Sequence, residues 1–394
     1  MTSWVVRGRR VVALVATAVL VGCGGGASLE APAPDAVVNV TGPGRLLAAT
    51  VLPSISAAQV SQALAAAGIA HPVHVPRYDV DNVRIEYLTL DVDGREIRAS
   101  GLVSVPRKGA GARSPVLSYQ HGTIFRDAEA PSNAILPDEP TVAMASLGYV
   151  VVAADYVGYG ASKGTAHPYL LSAPAAAAVL DLLTASRTWR LRNGVVANGQ
   201  LLMAGYSEGG YVTMAAHRAL EAGSSVHRSE LVTVVPGAGP YNLQVTLDEL
   251  LARIKDENAF LGALIEPGFL RHLGSTIRNE VRRLLVRQLV PGDADVPFDT
   301  KFIDAFLDDD RELIERQSNV HDWKPELRTR LYHGRDDQTV PYASSTSTLA
   351  AMRARGAADV SLTDCTVSPS GHRDCVLPYW AFMLDALQER ARDL

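Results

Sequence analysis

Three residue types set far apart in this chain can do nucleophilic chemistry together: a serine at 207, a histidine at 372, and an aspartate at 336 or 337. A serine hydroxyl is a poor nucleophile at neutral pH. It needs an imidazole to take its proton, and the imidazole needs a carboxylate to fix its tautomer. The serine stands in Gly205-Tyr206-Ser207-Glu208-Gly209-Gly210, a G-x-S-x-G pattern that presents a serine on a sharp turn between strand and helix. The flanks suit that context, because residues 200–204 are mostly apolar and residues 211–222 read as a helix. The glycines let the backbone turn tightly, and the positive end of the following helix favours a developing oxyanion. A glycine-rich turn with a merely capping serine is the plainer account of this stretch.

In the α/β-hydrolases, which this elbow resembles, the acid and then the base follow the serine in the chain. Downstream lie His217, His227, His272, His321, His333 and His372. His217 falls on the helix after the elbow, pointing away from the strand ends. His227 precedes a strand at the wrong edge, and His272 and His321 fall in a helical stretch. His333 stands at a strand end, where a structural role fits. His372 follows the last strand in Ser370-Gly371-His372, which is where a base belongs. The acid belongs in the turn after the preceding strand, and both Asp336 and Asp337 are there. An oxyanion needs two amide donors. One is that of Glu208, directly after the nucleophile, and the loop Gln120-His121-Gly122-Thr123 offers the other at Thr123.

These residues need a frame. Residues 83–90 alternate, Asp93-Gly94 signals a hairpin, and residues 96–105 return as its second strand. Apolar runs at 115–120, 149–154, 200–204, 231–235, 328–333 and 358–363 read as strands, separated by helical stretches near 140–147, 173–190, 343–356 and 376–390. Residues 45–70, rich in alanine, read as a helical leader broken at Pro53. The alternation predicts the α/β class, with a mostly parallel sheet covered on both faces and ligands at the carboxyl ends of the strands. Asp155, Gly158 and Gly160 shape the turn after one strand and read as structural. Residues 241–325 contain no convincing strand. Leu247, Leu250, Leu251 and Ile254 share a helical face, as do Ile277, Val281, Leu284, Leu285 and Leu289, and Ile303, Phe306, Leu307 and Ile314. This predicts a helical cap inserted in the sheet and covering the elbow. Arg278, Arg282, Arg283 and Arg287 read as a solvated helix face. The organisation is therefore 1–22 signal, 23–40 tether, 41–240 first part of the core, 241–325 cap, and 326–394 second part of the core.

Arg7, Arg9 and Arg10 precede an apolar run, Val11 to Val21, that is too short to span a bilayer. The run ends at Leu20-Val21-Gly22-Cys23, which predicts a bacterial lipoprotein signal cleaved before Cys23; a secretory signal cut near Ala27 is the alternative. Lipidated Cys23 would anchor the chain to a membrane facing the periplasm or the cell exterior. That assignment leaves Cys365 and Cys375 as an even pair in an oxidising compartment, closing a loop worth about 2–3 kcal/mol. The 394 residues are 47% hydrophobic and 20% charged, with net charge −5, an ordinary globular balance that gives no reason to expect a nucleic-acid partner. Only five of the 37 basic residues are lysine, which a GC-rich genome explains. The cysteine spacing gives no metal-ligand cluster.

Taken together, Gln120-His121-Gly122-Thr123, Asp155-Tyr156-x-Gly158-x-Gly160, Gly205 to Gly210, His333-Gly334-x-x-Asp337, and Gly371-His372 beside Cys375 resemble the α/β-hydrolases. They are most similar to the secretory lipase family related to fungal lipase A and its exported bacterial esterase relatives. The resemblance covers most of residues 78–392 and is vague in the cap. It implies an α/β-hydrolase fold with a helical cap, a carboxylic-ester hydrolase (esterase or lipase) acting on small-molecule or lipid esters, and no cofactor. It also favours Asp337, the position before Val-Pro in such turns, over Asp336. Glu208 departs from it, since glutamine is expected there. An exported aminopeptidase of the same fold is the nearest rival and would need carboxylates near the site, Glu249 or Asp308 being candidates. A non-catalytic anchored binding protein is a further one.

Overall fold

The computed structural model describes residues 40–69, 71, 73–257, 270–272 and 274–394. The signal, Cys23 and nearly all of the tether lie outside the described residues.

The nine described strands are β1 (Leu46–Ile55), β2 (Val80–Leu90), β3 (Glu96–Pro106), β4 (Ser114–Gln120), β5 (Val150–Ala154), β6 (Ala197–Tyr206), β7 (Leu231–Gly237), β8 (Thr329–His333) and β9 (Val360–Asp364). They form one sheet in the order β1-β2-β3-β5-β4-β6-β7-β8-β9. β1, β2, β3 and β5 pair antiparallel in succession, and from β5 onward every pairing is parallel. The buried strands feed both faces by simple alternation. Met203 joins the core beneath the helices Ser172–Arg192 and Glu208–Ala222, while Leu202 and Ala204 join the core beneath Pro140–Ser146 and Val376–Gln388. β6 lies inside the sheet, buried from Gln200 to Tyr206, so its carboxyl end is held by neighbours on both sides.

The leader corrects the sequence reading. Residues 46–55 are not helical but form the edge strand β1, and only Ala57–Ala66 is a helix. Its start is marked by a capping box. The Ser56 side chain accepts from the Gln59 amide, and the Gln59 side chain accepts from the Ser56 amide 2.9 Å away. Pro53 is tolerated because β1 is an edge strand, and its carbonyl accepts a bond from the Asn82 side chain at 2.9 Å. Alanine content alone suggested a helix. The register with β2, Leu46 opposite Tyr87 through Ile55 opposite Val80, decided for a strand.

Between β7 and β8 the chain forms the helices Leu243–Glu257, Ser275–Leu289, Lys301–Leu307 and Arg311–Gln317. They bury the apolar faces read from the sequence, among them Leu247, Leu250, Leu251, Val281, Leu285, Ile303 and Phe306. Arg278 pairs with Asp308 and Arg282 with Asp304, at 2.6 and 2.7 Å, and Arg283 pairs with Glu280. These arginines thus lie along a helix flank and meet their own acids. Phe298 makes an isolated parallel bridge to His167. Among the described residues no helix is long and apolar enough to cross a membrane.

Candidate active site

β6 runs straight into Ser207, which is the N-cap of the next helix with φ 60° and ψ −126°. This is a costly conformation for a residue with a Cβ, and the surrounding structure must hold it there. The Ser207 amide donates to the Gly237 carbonyl at 2.9 Å, fastening the turn to β7. The glycines serve a different purpose from the one expected. None of Gly205, Gly209 and Gly210 has positive φ. Each is a point of close approach. A Cβ on Gly205 would lie 2.4 Å from the Gly209 carbonyl oxygen, one on Gly209 2.1 Å from that of Gln120, and one on Gly210 2.3 Å from that of Gly237. The serine takes the strained torsion, and the glycines let three backbones crowd beneath it.

Two loops bring the partners. The turn after β8 carries Asp336 and Asp337, and the segment after β9 carries His372. His372 Nε2 lies 2.8 Å from Ser207 Oγ, and His372 Nδ1 lies 2.6 Å from Asp337 Oδ2. With Nδ1–H donating to the carboxylate, Nε2 is bare and accepts from the serine hydroxyl. Asp337 is buried, and its Oδ1 accepts from the amides of Thr339 (2.8 Å) and Val340 (2.9 Å). Burial pushes its carboxyl up, but the hydrogen bonds from His333 and His372 outweigh this and hold it far below the ordinary carboxylate range. Asp336 does other work. Its Oδ2 accepts from the Ser370 amide and hydroxyl, both at 2.9 Å, tying one loop to the other away from His372.

His372 is held from several sides. A disulfide joins Cys365 to Cys375 and brackets its loop. Tyr206, beside Ser207, donates from its hydroxyl to the His372 carbonyl at 2.8 Å. His333 has more to do than mark a strand end. Its Nε2 lies 3.1 Å from the same Asp337 oxygen that meets His372, and its Nδ1 lies 2.6 Å from Ser345 Oγ. The four-residue spacing from His333 to Asp337 was the available signal. His217 pairs with Glu221 at 2.7 Å and His227 with Glu230 at 3.3 Å, both away from the serine.

The 121–124 loop lies against the elbow, and a Cβ on Gly122 would stand 3.7 Å from that of Ser207. Tyr156 and Tyr159 brace it from below, donating to the carbonyls of His121 (3.0 Å) and Ile124 (2.6 Å). Burial, the largest influence, pushes the His121 imidazole below its ordinary range. Asp155 is buried and structural, accepting from Ser100 Oγ (2.6 Å), the Ser132 amide (2.8 Å) and Ser132 Oγ (2.6 Å). The amides of Glu208 and Thr123 make no hydrogen bond to another described residue, and both residues line the cavity at Ser207. The Glu208 side chain turns away from that cavity to His167, with Oε1 2.7 Å from Nε2. Nothing in the sequence linked these two residues, 41 positions apart.

The cavity measures about 530 Å³ and opens over Ser207 and His372. Leu243, Leu247 and Leu250 from the insertion line it together with Leu289, Trp380 and aromatic residues of the core such as Phe125 and Tyr169, and Arg287 and Arg373 also stand in its lining. Neither Glu249 nor Asp308 lines it.

A mostly parallel sheet with its antiparallel strands at one end, an elbow serine at the end of β6, an acid after β8 and a histidine after β9 form one topology. The chain has the α/β-hydrolase fold. No protein-family model matches this chain, and neither does any curated protein sequence. Solved structures do. The rice cell wall degrading esterase LipA from Xanthomonas oryzae is 25% identical with a TM-score of 0.67, over 88% of this chain and 98% of that one. A mutant of the same esterase gives 26% and 0.68, over 89% and 99%. Candida antarctica lipase A in its closed state is 16% identical with a TM-score of 0.56, over 88% and 83%, a likeness of fold. The lipase A-like resemblance read from the sequence is matched by a likeness of fold over most of the chain.

Proposed function

We propose that this α/β-hydrolase is an exported serine carboxylic-ester hydrolase. The observation that carries the reading is the unbroken hydrogen-bonded line from Asp337 through His372 to Ser207 Oγ at the floor of a largely apolar cavity. Ser207 attacks the ester carbonyl while His372 Nε2 takes its proton. Asp337 holds the Nδ1–H tautomer and stabilises the imidazolium that forms. The carbonyl oxygen, now negative, takes hydrogen bonds from the amides of Glu208 and Thr123. His372 passes its proton to the departing alcohol, leaving the acyl group on Ser207. A water, deprotonated by His372, attacks the acyl carbon, and collapse returns the proton to Ser207 and releases the acid.

The cavity wall favours an ester over the amine of an aminopeptidase substrate. Among the described residues lining it, the one carboxylate side chain is Glu208, which faces His167, and the other charges are arginines. The esterase and lipase neighbours support the same class. The disulfide suits an exported protein. Anchoring through lipidated Cys23 belongs to this proposal and rests on the sequence signal alone.

The test is hydrolysis of p-nitrophenyl esters from acetate to palmitate by the protein and by Ser207→Ala. Activity that peaks at one acyl length and falls by about 10⁴-fold or more in the variant is expected. Equal rates in both proteins, or folded protein inactive on every ester but active on aminoacyl anilides, would overturn it.

A further inference from the structure

Glu208 sits next to the nucleophile, yet its carboxyl plays no part in the steps above. It is 3% exposed, as is His167 against it. Among the described residues, His167 is the sole donor to that carboxyl. The other imidazole nitrogen, Nδ1, lies 2.9 Å from the Val157 carbonyl oxygen. A carbonyl only accepts, so Nδ1 carries a hydrogen. A neutral imidazole would then turn a bare Nε2 toward a carboxylate oxygen 2.7 Å away, two lone pairs facing each other. One more proton must lie between them. Whether it rests on nitrogen or oxygen, the pair carries no net charge, and the bond has the length of a charge-assisted one. Without it, a buried carboxylate would place a full negative charge beside the oxyanion.

His167 is itself clamped. Its amide donates to the Pro297 carbonyl at 2.7 Å, and its carbonyl accepts from the Asp299 amide at 2.8 Å. Phe298 and Tyr159 meet the imidazole edge-on, with ring centroids 5.2 and 5.1 Å away. Gly158, at φ 103°, permits the approach, since a Cβ there would lie 2.9 Å from His167 Cα. Asp155, through Ser100 and Ser132, holds the start of the same loop.

We infer that His167 is a positioning residue: it shares one proton with Glu208, and this neutral pair, gripped by the 297–299 segment of the insertion, keeps an uncompensated carboxylate charge from standing beside the oxyanion that the Glu208 amide receives. The inference rests on the esterase reading for its catalytic consequence, while the shared proton stands apart from it.

The decisive comparison sets His167→Phe, which removes the donor, against His167→Gln, whose amide nitrogen can still donate, and against the double variant His167→Phe with Glu208→Gln, which also removes the charge. Ester hydrolysis by His167→Phe is expected to lose about tenfold or more in kcat with KM nearly unchanged, because the affected interaction is made in the transition state. His167→Gln loses less, and the double variant recovers most of the loss. A double variant as slow as His167→Phe would overturn the inference, because a packing role gives both the same defect. The second measurement uses the full chain with wild-type sequence, labelled with 15N-histidine. A strongly downfield imidazole-linked proton that disappears in His167→Gln is expected, and its absence would also overturn the shared proton. If that proton is present but Ser207→Ala hydrolyses esters normally, the esterase reading fails and the pair remains.

Discussion

Replacing Asp337 with asparagine should disable His372 through the geometry around the carboxylate. The amides of Thr339 and Val340 both donate to Oδ1, at 2.8 and 2.9 Å, so an asparagine must place its carbonyl oxygen there. Its amide nitrogen then occupies the Oδ2 position and points hydrogens at His372 Nδ1, 2.6 Å from that site in the native chain. Two losses follow. The charge-assisted bond to the imidazolium disappears, costing about 1.5–3 kcal/mol or roughly 10- to 150-fold in rate. The imidazole is also driven to the tautomer with its proton on Nε2, which cannot accept from Ser207. Together they should lower kcat by about 10³- to 10⁴-fold, with KM little changed because no substrate contact is lost. The control is Asp336→Asn, which disturbs only the link to Ser370 and should cost less than about tenfold. Steady-state kinetics on one p-nitrophenyl ester suffices. Asp337→Asn within about tenfold of wild type, or Asp336→Asn as damaged as Asp337→Asn, would refute the assignment.

Two further outcomes concern stability. Cys365→Ala with Cys375→Ala opens a loop of sequence separation 10 and should cost about 2–3 kcal/mol in urea unfolding; because His372 lies in that loop, kcat should fall further than the folded fraction explains, and unchanged unfolding and kinetics would count against both statements. Glu139 is pushed up to about 7 from 4.5, by burial first and then by repulsion from Asp138. The folded state therefore keeps a proton that the unfolded state releases, so stability should fall as pH rises through about 4.5 to 7. Asp181, pushed up to about 6 by burial, acts in the same direction. Glu139→Gln should flatten part of that slope, and a difference in Tm between the two proteins that does not vary from about pH 5 to 8 would exclude the effect.

Much of the frame was readable because it is written locally. Period-2 and period-3.6 apolar patterns mark strands and helices wherever one face must be buried, and Ser207 carried its own strand, turn and helix around it. The failures were local too. Residues 46–55 form an edge strand with most side chains exposed, so burial left no alternation to read, and alanine content pointed the wrong way. The capping box at Ser56 was the signal that would have set the boundary.

What the sequence by itself determined was the cast and its order: a serine in an elbow, two aspartates in the turn after one strand, a histidine after the last strand, and a helical insertion between sheet strands. Residue type and spacing suffice for these because each depends on a few neighbouring positions. Only the tertiary structure decided which aspartate meets His372, since Asp336 and Asp337 are adjacent in the chain and differ in the direction their side chains take. It alone placed His333 on the shared carboxylate, joined His167 to Glu208 across 41 residues, and showed that the elbow glycines are required by close backbone approach while Ser207 bears the positive φ. Those are properties of packed interiors, where buried polar groups must find partners and backbones must clear one another, and a linear pattern carries no record of which distant groups will meet.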